Sequence, residues 1–160
     1  MNSCRIPNVF VGAAFLIMMT PTFADTAAIA RSHSEAFARA MNARDTATVL
    51  ALYADDARVV WPGVGDEATG KAQIETLIIN TLRGFPADSR LTLKSQSVIP
   101  IGPDYVATVS HWEQTYTGSD RAIRKSEARA TEVIRILGGK TLYVIDHASF
   151  GIAQPNPPQR

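Results

Sequence analysis

The chain reads as an α+β domain, with helices laid on one face of a curved, mainly antiparallel sheet. Three observations predict this. Up to Arg83 the apolar residues recur three and four apart, the spacing of amphipathic helices. From Leu91 onward the period changes to four long extended segments rich in β-branched and aromatic residues. Those segments are separated by Gly102-Pro103-Asp104, Gly118-Ser119-Asp120 and Gly138-Gly139, which is turn chemistry. Helices followed by consecutive strands that meander are the α+β pattern.

Taken in order, Thr26 to Asn42 carries Ala30, Phe37, Ala38 and Met41 on one stripe, with Ser32, Glu35 and Arg39 between them. Asn42-Ala43-Arg44-Asp45 is a corner in which Asp45 can accept hydrogen bonds from the free amides of a second helix, striped by Val49, Leu50, Leu52 and Tyr53. On this reading Asp55 and Asp56 end that helix, as a turn or with Asp56 paired to Arg58. Ala57 to Trp61 is a short strand stopped by Pro62, Gly63 and Gly65, and a third helix runs from about Lys71 to Arg83, ending at Gly84. Strands are expected at Leu91 to Ile101, Tyr105 to Tyr116, Ala122 to Leu137 and Thr141 to Ile152. The last is apolar or aromatic on both faces, with Tyr143, Ile145, His147 and Ser149 on one side and Leu142, Val144, Ala148 and Phe150 on the other. A sheet with helices on one face needs a cover for the other. The economical cover is a second copy of the chain, packed sheet to sheet in a homodimer.

The 160 residues are 46% hydrophobic and 19% charged, enough for one ordinary globular domain. Residues 1–24 read as an export signal: Arg5 is the positive flank, Val9 to Met19 is an uncharged apolar run, and Thr22-Phe23-Ala24 precedes a cut before Asp25. That run is only 11 residues long, whereas roughly 20 are needed to cross a bilayer. A periplasmic or secreted protein is therefore expected, with no membrane association after signal removal. The domain is expected over residues 25–153 and a proline-rich tail over 154–160. Among 16 Lys plus Arg and 15 Asp plus Glu, the first 24 positions hold only Arg5, so the remainder is balanced at 15 against 15 and offers no electrostatic reason to expect nucleic acid. The single cysteine, Cys4, lies in the signal, which removes disulfide, thiolate and Cys-zinc chemistry from the mature domain.

The order of elements, the Leu52-Tyr53-Ala54-Asp55-Asp56-Ala57 stretch, and the ending Ile145-Asp146-His147-Ala148-Ser149-Phe150 together resemble the NTF2-like superfamily, in its SnoaL-like and DUF4440 (SgcJ/EcaC-type) branch. The resemblance covers about residues 27 to 152. It implies a cone-shaped domain whose sheet wraps a long helix and leaves a pocket at the open end, often dimeric, in isomerases, cyclases and dehydratases as well as proteins of no known reaction. Ketosteroid isomerases of this fold place a catalytic Asp just before the proline closing the first strand and an oxyanion-binding Tyr on the first helix. The corresponding positions here are Trp61 and Phe37, neither of which can do that chemistry.

Among residues that could carry chemistry, His147 is a candidate catalytic base if it is partly desolvated, or else a buried histidine bonded to a helix-end group such as Asp56. Asp56 is the second catalytic candidate. Glu132 shares a strand face with Ala128, Ala130, Ile134 and Ile136, where burial would raise its pKa; on a half-exposed strand it would be an ordinary surface charge. Arg129, on the opposite face, could bind a carboxylate or pair with Glu127 or Glu113. Phe37, Tyr53, Trp61, Trp112 and Tyr116, with Arg129 and Ser149, make an apolar pocket with a few polar groups, the usual composition of a small-molecule site, although aromatics on a curved sheet also fill cores. Gly-rich phosphate loops, nucleophile elbows and paired-histidine metal spacings do not occur, so neither cofactor nor metal is expected. The leading expectation is an exported protein that binds a small, largely apolar molecule. The alternatives are a cofactor-free lyase or isomerase using His147, with Tyr53, Trp61 or Arg129 positioning the substrate, and a structural dimerisation module.

Overall fold

A computed structural model describes residues 23–62 and 67–150. Most of the expected export segment, Cys4, Gly63, Gly65 and the 154–160 tail lie outside the described residues. Helix α1 spans Phe23–Asn42 and buries Ala30, Ser34, Phe37, Ala38 and Met41 along one stripe. His33 joins that stripe, a polar residue on the buried side that the apolar pattern alone does not announce. The corner after α1 puts Arg44 at φ 56°, a left-handed conformation that ordinary side chains rarely adopt. The Arg44 guanidinium donates to Leu82 O at the end of α3 (Gly70–Gly84), so the strained corner also ties the two helices together. Asp45 then caps α2 (Thr46–Ala51), accepting from the Thr48 amide at 3.0 Å.

Helix α2 is shorter than its apolar stripe suggests. It stops at Ala51, and Tyr53–Val60 form strand β1, so Asp55 and Asp56 are exposed strand residues and not a helix end. The reason is tertiary: the Tyr143 amide donates to Leu52 O at 2.9 Å, drawing the chain out of the helix and into the sheet. Arg58 pairs with Glu67 at 2.8 Å instead of with Asp56. Of the three helices among the described residues, two are long, and α3 follows β1 and the two-residue β2 (Ala68–Thr69). Gly70 opens α3 at φ 72°, where a Cβ would stand 3.3 Å from Asp55 O, so both conformation and space favour glycine.

Strands β3 (Arg90–Pro100), β4 (Tyr105–Thr117), β5 (Ile123–Leu137) and β6 (Lys140–Phe150) meander antiparallel, and β1 joins β6 in parallel, giving the order β2-β1-β6-β5-β4-β3. Helix α1 packs on β3 and β6, and α3 on β1. The register shifts between Leu93 and Ser95 in β3, between Tyr53 and Arg58 in β1, and between Tyr143 and Ile145 in β6. One residue is surplus in β3 and in β6, and three in β1 relative to β6; such irregularities bend and twist a strand and let a sheet curve around a helix. In β6 the extra residue is Val144, since Tyr143 pairs with Ile134 and Ile145 with Val133.

No described helix is long and apolar enough to cross a membrane.

Candidate functional site

Between α1 and the inner face of β4–β6 lies a cavity of about 110 Å³. Its aromatic side is built around Phe37, whose ring makes edge contacts with Trp61 and Trp112, each at 5.8 Å between centroids, and with Tyr143 at 6.0 Å. The small residues Ala128, Ala130 and Ala148 leave the space that the rings do not fill. Half-buried Phe85 and exposed Phe150 border it toward solvent, while buried Tyr143, Glu132 and Asp146 form its floor.

The floor is where the chemistry concentrates. Glu132 on β5 and Asp146 on β6 are directly paired across the strands, and side chains so placed start from Cβ atoms about 5 Å apart. Glu132 Oε2 accepts from the hydroxyls of Thr108 and Ser110, the latter at 2.9 Å, and Oε1 accepts a long 3.4 Å bond from Trp112 Nε1. Asp146 Oδ2 accepts from Tyr53 Oη at 2.6 Å and Trp61 Nε1 at 2.8 Å. Burial, reinforced by the neighbouring Asp146, pushes the Glu132 carboxyl up to about 7, against the pull of its three hydrogen bonds. Burial also raises Asp146, with Tyr53 and Trp61 opposing it. The negative charge of Asp146 thus disfavours ionisation of Glu132 across the strand pair. Tyr53 stays a protonated donor, its hydroxyl pushed well above its ordinary range by burial and by Asp146.

The carboxyls belong to a longer network. Ser110 also receives Gln96 Nε2 at 3.1 Å; Gln96 reaches Ser34 at 2.8 Å, and Tyr143 Oη donates to the same Ser34 at 3.0 Å. The His33 ring packs over Tyr143 at 4.4 Å, and burial lowers its pKa to about 4, so this imidazole is neutral at ordinary pH.

Three of the sequence-derived pocket residues, Phe37, Trp61 and Trp112, stand in the cavity wall. Tyr53 lies behind it as the clamp on Asp146. Tyr116 follows Gln114 on the same strand face, outside the wall. His147, Arg129 and Ser149 are elsewhere: all three are exposed on the opposite face of the sheet. Strict alternation from Tyr143 puts His147 and Ser149 on the cavity side, and the Val144 bulge reverses this, turning Asp146 and Ala148 inward. Asp56 is exposed on β1, away from the cavity. Glu113, a possible partner for Arg129, pairs instead with Lys94 and Lys125. The periodicity on β5 does lead to Glu132, but nothing in the local sequence marks Asp146, because the bulge that aims it is set by pairing. Among the described residues no three His, Cys, Asp or Glu side chains come together as a metal site.

Residues 34–144 match the SnoaL-like domain family. Among curated proteins, none matches the sequence. Similar solved structures include a protein of unknown function with a cystatin-like fold from Nostoc punctiforme (17% identity, TM-score 0.69, covering 88% of this chain and 98% of that one). A ketosteroid isomerase-like protein from Erwinia carotovora atroseptica is 21% identical, with TM-score 0.66 over 82% of this chain and 100% of that one. An NTF2-like superfamily protein from Salmonella enterica serovar Typhimurium is 13% identical, with TM-score 0.67 over 84% and 99%. At these identities the likeness concerns the fold.

Proposed function

The chain belongs to the SnoaL-like domain family, within the NTF2-like superfamily, and from that premise we propose that it binds a small, largely apolar molecule in the cavity between α1 and β4–β6. The observation that carries this reading is an aromatic-walled space of about 110 Å³ ending on two buried carboxyls, the composition of a small-molecule site with a few orienting polar groups. The family's use of this fold to bind small molecules, in some members as isomerases or lyases, supports it. A lyase or isomerase built on a His147 base is not carried forward, because that imidazole faces away from the cavity.

The test uses the chain's own reporters. Trp61 and Trp112 are its two tryptophans, and both stand in the wall, so a bound molecule changes their emission. Titration with cyclohexanol should give a saturable change, and Ala148→Phe, which fills the space, should abolish it; an unsaturable response in the unaltered chain sinks the reading.

The proposal extends to the setting. Export with cleavage before Asp25 is expected, and mass spectrometry of secreted material starting at Met1 would contradict it. A homodimer through the outer sheet face is supported by the cross-strand row Ile99, Ala107, Val133 and Ile145, in which Ile99 is 50% and Ile145 44% exposed. A monomeric mass by light scattering at micromolar concentration would count against it.

A further inference from the structure

The floor of the cavity has hydrogen-bond acceptors to spare and its donors are spent. Tyr53 Oη and Trp61 Nε1 are used on Asp146 Oδ2, Thr108 and Ser110 on Glu132 Oε2, and Tyr143 Oη on Ser34. What remains is Oδ1 of Asp146, a residue 6% exposed in which no hydrogen bond reaches that oxygen among the described residues. Glu132 Oε1 has only the 3.4 Å contact from Trp112. On the helical side, Thr81 Oγ1 is buried without a partner and also borders the space.

The charge is equally one-sided. Two carboxyls meet at the floor, neither is in an ion pair among the described residues, and no Lys, Arg or His side chain stands in the wall. A buried carboxylate without a counter-charge is costly, and removing its hydrogen-bonding water adds to the cost. A guest that brings both N–H donors and positive charge answers both deficits. An anion would add a like charge, and a guest with acceptors only would leave both oxygens unmet. The rings of Phe37, Trp61 and Trp112 supply an apolar wall for the uncharged part of the guest.

We infer that the cavity selects a small apolar ammonium: a ring or short branched alkyl group that fills the aromatic half, with one protonated amine on the Glu132–Asp146 floor. This rests on the cavity being a small-molecule site. An apolar cavity of about 150 Å³ accommodates benzene, so about 110 Å³ with an open rim suits a single five- or six-membered ring. Around the pair, Tyr53 on β1 and Tyr143 on β6 are held neutral by burial, His33 on α1 titrates only near 4, and His147 lies on the outer side of β6 beside Asp146. Near neutral pH the carboxyls therefore set the charge of the floor, and acid removes it.

The experiment titrates the full chain with cyclohexylamine, cyclohexanol and cyclohexanecarboxylate, reading tryptophan emission at about pH 8 and again at about pH 5. The amine should bind about tenfold more tightly than the alcohol at the higher pH and lose most of that advantage at the lower, with the carboxylate weakest. In Asp146→Asn and Glu132→Gln, which keep shape and remove charge, the amine and alcohol should bind alike. If the alcohol or the carboxylate binds as tightly as the amine, ammonium selection is wrong while the small-molecule reading stands. If none of the three binds, both fall. An amine advantage that survives both substitutions also overturns the inference by moving the amine to another site, and the pH comparison on the unaltered chain decides the matter even if a variant fails to fold.

Discussion

Along β6 the residues turned to the cavity are Tyr143, Asp146, Ala148 and, at its rim, Phe150, and those turned to solvent include Ile145, His147 and Ser149. The two faces meet opposite fates from nearly the same chemistry. Inside, Asp146 has its ring-borne donors at 2.6 and 2.8 Å and a raised pKa; outside, the neighbouring His147 stands exposed in a row with Thr131 and Val109. That Val144 is left out of the pairing decides which of the two titratable side chains the cavity receives. A carboxyl and an imidazole would make different sites, so local backbone register here has the weight of a substitution.

The most severe way to break this contrast is to exchange its two residues, Asp146→His with His147→Asp. The inner position then offers Tyr53 and Trp61 an imidazole in place of the carboxylate oxygen that both now reach. Loss of about 3 kcal/mol of stability is expected, or failure to fold, because buried donors lose their acceptor; a urea midpoint close to that of the parent would show that the inner position tolerates either group.

The next effect is read by pH. Glu132 titrates near 7 in the folded chain against an ordinary 4.5, so between those values the folded state holds a proton that the unfolded chain has released. Its contribution is fully present below about 4.5 and is lost as pH rises through 7. His33 works in the opposite sense: with its pKa lowered from 6.5 to about 4, its contribution is present above 6.5 and lost as pH falls through 4. Glu132→Gln should therefore gain stability relative to the parent between about pH 5 and pH 8, on the order of 2 kcal/mol. Equal changes at both pH values, by chemical denaturation, would place Glu132 in water.

Tyr53→Phe sharpens the comparison from the inner side. It leaves the aromatic packing and removes one donor from a buried carboxyl, for a cost of about 1–3 kcal/mol, measured by the same denaturation. His147→Ala sharpens it from the outer side and should have the smallest effect, within about 0.5 kcal/mol with binding in the cavity unchanged; a loss of cavity binding would mean that the sheet face has been assigned backwards.

Much of the fold was legible in the chain because it is encoded between near neighbours. The stripe of α1, the Asp45 cap, the turn glycines and the face of β4 shared by Trp112 and Tyr116 follow from periods of two or three to four residues, and the same period puts Glu132 on the apolar face of β5 without deciding that this face, and not that of Arg129, is the inner one. The end of α2 and the site's second carboxyl did not follow, since both depend on β1 lying parallel beside β6. Tyr53 and Asp146 are 93 positions apart in sequence yet 2.6 Å apart in the fold. Alternating side chains specify the faces of a strand only while its pairing is regular, and an extra residue inserted by a distant partner reverses every face beyond it. The sequence by itself therefore determined an α+β domain with a half-apolar sheet, and only the tertiary pairing decided that the cavity ends on Asp146 and not on His147.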